Sequence, residues 1–139
     1  MKIPFTGGCL CGAVRYECSA APVFMGNCHC RDCQRATGTA YAAAVLVPRE
    51  AVAITGDIKQ FDVKADSGRL FSRSFCPNCG SRLFGQRAVG NLLSIMAGSL
   101  DDPSWFRPTI NIYTASAQPW DCMNPDLPKL PHSLPPNPS

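Results

Sequence analysis

Nine cysteines, seven of them in three tight groups, constrain this chain more than any other feature of its sequence. The groups are Cys9-Leu10-Cys11, Cys28-His29-Cys30-Arg31-Asp32-Cys33 and Cys76-Pro77-Asn78-Cys79-Gly80. In a reducing compartment, thiols this closely spaced are metal ligands or catalytic groups before they are disulfides, and an odd total fits a closed disulfide framework poorly. The opening segment Met1-Lys2-Ile3-Pro4-Phe5-Thr6-Gly7-Gly8 has no apolar stretch of signal-peptide length. The longest apolar run, Ala40 to Val47, is far short of the roughly 20 residues of a membrane helix. The expected setting is therefore cytoplasmic, with no membrane partner.

The third group carries the strongest signal. In a Cys-Pro-x-Cys-Gly loop both thiolates leave one side of a tight turn, and the glycine allows a positive φ. Such a zinc knuckle supplies half of a tetrahedral four-cysteine site. Cys9 and Cys11 can supply the other half, because i and i+2 side chains share one face of an extended segment. Gly7-Gly8 and Gly12 would let the backbone bend around the ion. The predicted closed site is Cys9, Cys11, Cys76 and Cys79, and it joins segments 64 residues apart in sequence. A structural zinc contributes on the order of 10 kcal/mol, comparable to the whole stability of a small domain.

The second group offers three thiolates within six residues. Cys30 and Cys33 would form a knuckle entering a short helix, with Cys28 closing from the preceding strand. Three protein ligands and a free position form the usual layout of a catalytic zinc. A closed site would instead take a fourth ligand from His29, Cys122, Cys18 or His132, although His29 adjoins two ligands and should point away from them. A third alternative is no stable metal. Cys18 otherwise reads as core, and Cys122 as packed or spare.

Three thiolates leave a zinc complex with net charge −1 and weak Lewis acidity, poorly suited to making hydroxide. Such a centre suits an exogenous thiolate and the making or breaking of a carbon–sulfur bond. Arg31, Arg35, Asp32, Thr37 and Thr39 are the nearby candidates for proton transfer and anion contacts. The arginines would suit a thiol that carries carboxylates.

Short apolar alternations broken by turn residues predict an all-β fold. Strands are expected at Ala13 to Cys18, Tyr41 to Val47 (stopped by Pro48), Val52 to Thr55, Ile58 to Val63, Arg69 to Phe75, Ser81 to Gln86, Leu92 to Ala97 and Thr109 to Tyr113. Val52 to Thr55 and Ile58 to Val63 are expected to form a hairpin across Gly56-Asp57. One short helix is expected from Arg31 to Thr37, ended by Gly38. Seven of the 13 prolines fall from Pro119 onward, so residues 124–139 read as an irregular surface tail with a disordered end. The formal charge is +3; seven bound thiolates subtract seven and two zinc ions restore four, leaving zero. With no run of Lys or Arg, a nucleic-acid partner is not expected.

The runs Gly8-Cys9-Leu10-Cys11-Gly12, Cys28-His29-Cys30-Arg31-Asp32-Cys33-Gln34-Arg35 and Phe75-Cys76-Pro77-Asn78-Cys79-Gly80 occur in the order and spacing of a known family. So do Ala97-Gly98-Ser99-Leu100-Asp101-Asp102-Pro103 and Ile110-Asn111-Ile112-Tyr113, leading to Pro119-Trp120. Over about residues 5 to 130 the chain resembles the glutathione-dependent formaldehyde-activating enzymes, a family that includes the centromere protein V group. The resemblance implies a zinc-stapled β-tent of two antiparallel sheets over residues 1–123, followed by the proline-rich tail. It implies two Zn2+ ions, with Cys9, Cys11, Cys76 and Cys79 structural and Cys28, Cys30 and Cys33 at the active site. The implied activity is that of a carbon–sulfur lyase interconverting S-hydroxymethylglutathione with formaldehyde and glutathione. The competing reading is a non-enzymatic zinc module that binds a partner protein, with both metals structural.

Overall fold

A computed structural model describes residues 1–65 and 67–133 of the chain. Ten strands follow one another: β1 Phe5–Gly8, β2 Arg15–Cys18, β3 Phe24–Cys28, β4 Ala42–Pro48, β5 Val52–Thr55, β6 Lys59–Lys64, β7 Leu70–Phe75, β8 Arg82–Arg87, β9 Leu92–Met96 and β10 Asn111–Ile112. The one α-helix, α1, spans Arg31–Thr37 between β3 and β4. It stops where expected: Gly38 takes φ 73° and its N–H reaches the Gln34 carbonyl. Among the described residues no helix is long and apolar enough to cross a membrane.

The strands form two sheets, one ordered β1-β2-β5 and the other β10-β3-β4-β9-β8-β7-β6. All pairs are antiparallel except β10 with β3, which run parallel, so the expectation of two wholly antiparallel sheets is corrected at that edge. The core lies between the sheets. Val14, Tyr16 and Cys18 alternate inward, as their spacing predicts, and meet Val45, Val47, Leu83, Phe84, Leu93 and Ile95. Tyr16 packs edge-on against Phe84 at 5.3 Å. A bulge in the β7–β8 ladder leaves Leu83 as the extra residue between Phe75↔Arg82 and Ser74↔Phe84, so consecutive residues Leu83 and Phe84 are both buried.

Several local expectations fail for identifiable reasons. Val52–Thr55 does not form a hairpin with the next strand: β5 pairs with β2, and β6 pairs with β7 in the other sheet. Gly56 explains the switch. Its φ is +98°, and its Cα lies so close to the Ala13 carbonyl that a Cβ would sit 2.1 Å from that oxygen. The chain is thus pressed onto the start of β2 where it leaves the small sheet, instead of reversing. Gly7 and Gly8 lie within β1 and do not bend around the cysteines; a Cβ on Gly7 would lie 2.2 Å from the Tyr16 hydroxyl. Pro48 closes β4 from inside the ladder, opposite Leu92. Strands β1 and β3 had no clear apolar alternation to announce them.

The segment Ala97 to Pro103 fastens the small sheet. Ser99 and the Tyr16 hydroxyl lie 2.7 Å apart, and Leu100 bridges to Gly7. Asp101 receives Thr6 Oγ1 at 2.6 Å and a two-pronged contact from Arg15. The described part of the tail, residues 124–133, runs beside β10. Its carbonyls at Pro128, Leu130, Pro131 and His132 accept N–H groups from residues 111 to 115, and the Leu130 N–H is returned to Asn111. Prolines that cannot donate still serve a sheet edge as acceptors. The expected disorder at the extreme end concerns residues 134–139, which lie outside the described residues.

Two measurements check this account. Gly56→Ala should cost about 3 kcal/mol in denaturant unfolding, because positive φ and carbonyl overlap both oppose it. Gly90→Ala, with φ +104° and open space around it, should cost about 1 kcal/mol. Arg15 and then Thr6 hold the Asp101 carboxyl down to about 2. Its contribution to stability is therefore present above the unfolded value near about 4 and lost as pH falls toward 2. Carboxyl NMR should find that low midpoint and see it rise part of the way toward about 4 in Arg15→Met, where the Thr6 hydrogen bond remains.

Candidate metal centres

The loop after β1 and the turn joining β7 to β8 bring four sulfurs together. The Sγ atoms of Cys9, Cys11, Cys76 and Cys79 all lie within 4.8 Å of one another. Cys9 and Cys11 are 3.6 Å apart, and Cys11 and Cys76 are 3.8 Å apart. A tetrahedron with metal–sulfur bonds of about 2.3 Å has edges of about 3.8 Å, so the spacing fits one tetrahedral cation and is far too long for a disulfide. The backbone accounts for it. Gly80, at φ +77°, returns its N–H to the Cys76 carbonyl at 2.8 Å. Gly12, at φ +81°, turns the chain so that Cys9 N–H meets the Val14 carbonyl and Val14 N–H meets the Cys9 sulfur at 3.2 Å.

Further donors surround these sulfurs. Asn78 Nδ2 lies 3.2 Å from the Cys11 sulfur. The Ser81 hydroxyl lies 3.2 Å from the Cys79 sulfur and, with its backbone N–H, lowers that thiol to about 5. Cys9 and Cys76 are buried in the core cluster, whereas Cys11 is exposed.

The second centre forms where β3 passes into α1. Cys28 ends the strand, Cys30 caps the helix, and Cys33 sits in its first turn, with Cys33 N–H on the Cys30 sulfur at 3.3 Å. Their three sulfurs also lie within 4.8 Å of one another. Among the described residues no fourth Cys, His, Asp or Glu joins this group. His29 points away, as its place between Cys28 and Cys30 predicts. It is wholly buried, with Nε2 2.8 Å from Asn111 Oδ1 and Nδ1 2.7 Å from Asp121 Oδ2. Cys18 is buried beside the Ala20 carbonyl, Cys122 is exposed, and the His132 carbonyl bonds to Tyr113. The thiols of this cluster perturb one another in opposite directions. Cys28 and Cys33 hold Cys30 well below its ordinary range, while Cys30 and Cys33 drive Cys28 far up. Both sulfur sets could therefore hold a metal ion.

The other candidates near the second centre separate into two kinds. Thr37 bonds the Cys33 carbonyl, Thr39 bonds the Tyr41 carbonyl, and Arg31 bonds Gln34, all local structural roles. Asp32 and Arg35 instead line a groove of about 250 Å³ with Ala36, Phe61, Val63 and Arg73. Arg73 was not anticipated. It is only 9% exposed, its guanidinium lies 4.8 Å above the Phe71 ring, and its two Nη atoms reach the Cys33 sulfur at 3.8 and 3.9 Å. The signal was present: Arg73 occupies the same alternating face of β7 as Phe71 and Phe75, an inward position that a charge seldom takes. Asp121, buried against His29, had no comparable signal.

Comparison with known proteins places these groups in context. The family model described as glutathione-dependent formaldehyde-activating enzyme matches residues 4–116. A Penicillium rubens protein provisionally named for that activity is 31% identical over 87 residues, covering 59% of this chain and 45% of the relative. A Colletotrichum graminicola protein with the same provisional name is 29% identical over 84 residues, covering 54% and 44%. The matches thus span less than half the length of either relative. A crystal structure of a Rhodobacter sphaeroides protein shares the fold, with a TM-score of 0.56 over 69% of this chain and 87% of that one at 20% identity.

Metal analysis tests the two centres separately. Wild type should carry about two ions per chain and Cys30→Ser about one with the fold retained, while Cys76→Ser should be unfolded or metal-poor. Equal destabilisation by both substitutions would remove the distinction between the sites.

Proposed function

The chain belongs to the glutathione-dependent formaldehyde-activating enzyme family, and from that premise we propose that it is a zinc-dependent carbon–sulfur lyase. Its substrate would be the adduct of glutathione, or another thiol, with formaldehyde or a small aldehyde. The observation that carries this reading is unequal coordination. Cys9, Cys11, Cys76 and Cys79 offer a complete four-sulfur set, whereas Cys28, Cys30 and Cys33 offer three sulfurs with no fourth ligand among the described residues. We assign the first set to a structural Zn2+ and the second to an open Zn2+ site, since all-sulfur donors suit that ion.

When bound at the open site, the ion supplies attraction for a substrate sulfur and favours its thiolate form at neutral pH. The protein's part is positioning and charge. Cys28, Cys30 and Cys33 hold the ion from the protein side. Arg73 stabilises the Cys33 sulfur as an anion. The groove beside α1 accommodates the body of the thiol, with Arg35 on its wall suited to a carboxylate. In the cleavage direction the hydroxyl proton leaves oxygen, the carbonyl forms, and the carbon–sulfur electron pair returns to sulfur. Asp32 is the carboxylate lining the groove and is the group we assign to that proton. Reduced thiols suit a cytoplasmic setting, and no nucleic-acid partner is part of this reading.

Thiols add to formaldehyde without a catalyst, so the test compares rates. Exchange NMR of glutathione with labelled formaldehyde should show faster interconversion with metal-loaded wild type than in buffer. Cys30→Ser, which retains the first metal, should return the rate to that of buffer. A Cys30→Ser protein as fast as wild type would refute the assignment. No acceleration by wild type would favour the non-enzymatic zinc module instead.

A further inference from the structure

Two sources of buried positive charge lie beside the three-cysteine centre, neither paired with a carboxylate among the described residues. Arg73 is one source. Arg82, on the neighbouring strand, is the other. The β7–β8 bulge places Arg82 opposite Phe75, two residues from Arg73. All three guanidinium nitrogens of Arg82 are shut away from solvent, and none has a hydrogen-bond partner. Burial depresses its pKa, and the charge of Arg73 depresses it further; the counter-charge it feels is that of Cys33. Among the described residues no carboxylate pairs with either arginine. Buried cations without a full counter-charge are costly, so a partnerless Arg82 near an Arg73 whose contact is the Cys33 sulfur calls for an anion nearby.

Asp32 and Arg35, on the wall of the same groove, cancel in formal charge, and the remaining count says which anion. Three thiolates and a divalent ion carry a net −1, one short of the two arginines. A fourth ligand that arrives as an anion brings the centre to −2, which the pair balances. A neutral ligand leaves one guanidinium uncompensated. We propose that Arg73 and Arg82 act as a charge-balancing pair that makes the three-cysteine centre select an anionic fourth ligand, a thiolate, over a neutral one. This rests on the open-site reading above. The thiol's proton is released to solvent on binding, and no bond to carbon changes. Arg73 contacts a ligand sulfur directly, while Arg82 acts through the field of the buried pair, so both are positioning residues.

The intact 139-residue chain reconstituted with cobalt(II) provides the test, because sulfur-to-cobalt absorption reports each added thiolate without reference to turnover. Two probes are titrated at one fixed pH: 2-mercaptoethanol as the anionic ligand and imidazole as the neutral one. Arg82→Met should fold, since an apolar chain replaces an unpaired buried charge. It should bind 2-mercaptoethanol about tenfold more weakly, the scale expected for one charge removed at short range in a partly desolvated site. Its imidazole affinity should stay within about twofold of wild type, well under the factor of ten that a full charge contact gives. Arg82→Lys should restore thiolate affinity. Arg73→Met is the parallel variant if Arg82→Met does not fold. Equal loss for both probes, or no loss for either, overturns the proposal while leaving the open site intact. A wild-type protein that takes up neither probe overturns the open site and the proposal together.

Discussion

A chain of 139 residues buries only about two-thirds of the surface it exposes when unfolded, and here sulfur occupies part of the interior that a larger domain would fill with hydrocarbon. Cys9 and Cys76 belong to the same buried cluster as Val14, Tyr16, Leu83 and Phe84. They are also half of the four-sulfur set that joins the loop after β1 to the turn between β7 and β8. That contact spans the two sheets. Strand β1 belongs to the small sheet, and β7 and β8 to the large one. A cation at this point would close a loop of more than 60 residues, whose closure entropy must otherwise be met by packing alone.

The two sulfur sets differ in how their charge is accommodated. Around the four-sulfur set the donors are neutral: the Val14 N–H, the Asn78 amide and the Ser81 hydroxyl. Neutral donors hold a fixed, closed anion without asking for exchange. Around the three-sulfur set the neutral Cys33 N–H on the Cys30 sulfur is joined by a charged donor, the Arg73 guanidinium on Cys33, with the guanidinium of Arg82 buried nearby. Formal charge is a less economical way to hold a static ligand, because burying it costs free energy whenever the anion is incomplete. It is an effective way to favour one kind of visitor over another.

Much of this was legible in the sequence because cysteine spacing encodes geometry directly. The grouping of seven thiols into four and three followed from knuckle and strand stereochemistry, and α1 followed from Gly38 and the turn of residues after Cys30. Long-range pairing was less legible. The apolar runs flanking Gly56-Asp57 look like a hairpin, but the contact of Gly56 with the Ala13 carbonyl sends β5 and β6 to different sheets, and no local pattern records a close approach between residues more than 40 apart. The parallel pairing of β10 with β3 was hidden for a similar reason, since two residues of strand carry no periodicity. Arg82 is hidden differently: only the β-bulge sets it opposite Phe75, on the Arg73 side of the sheet.

The surroundings of His29 tie the three-sulfur centre to parts of the chain far from it in sequence. Alternation through β3 sends Cys28 and Cys30 to one side and Asn27 and His29 to the other, where both meet Asn111 of β10. The His29 carbonyl accepts Gln34 Nε2 at 2.7 Å, and the same nitrogen reaches the Ser116 carbonyl at 3.0 Å. Asp121, beyond the segment matched by the family model, completes the ring by facing His29 Nδ1 at 2.7 Å. The residue between Cys28 and Cys30 is thus gripped on its ring by β10 and the C-terminal segment, and on its backbone by the helix. A site that keeps three sulfurs convergent without a fourth protein ligand needs its backbone held from outside the cluster. The segment after residue 116 supplies part of that restraint, and β10 is itself bordered by carbonyls of the proline-rich tail. The polar network on one face of β3 therefore fixes the geometry of the sulfur cluster on the other.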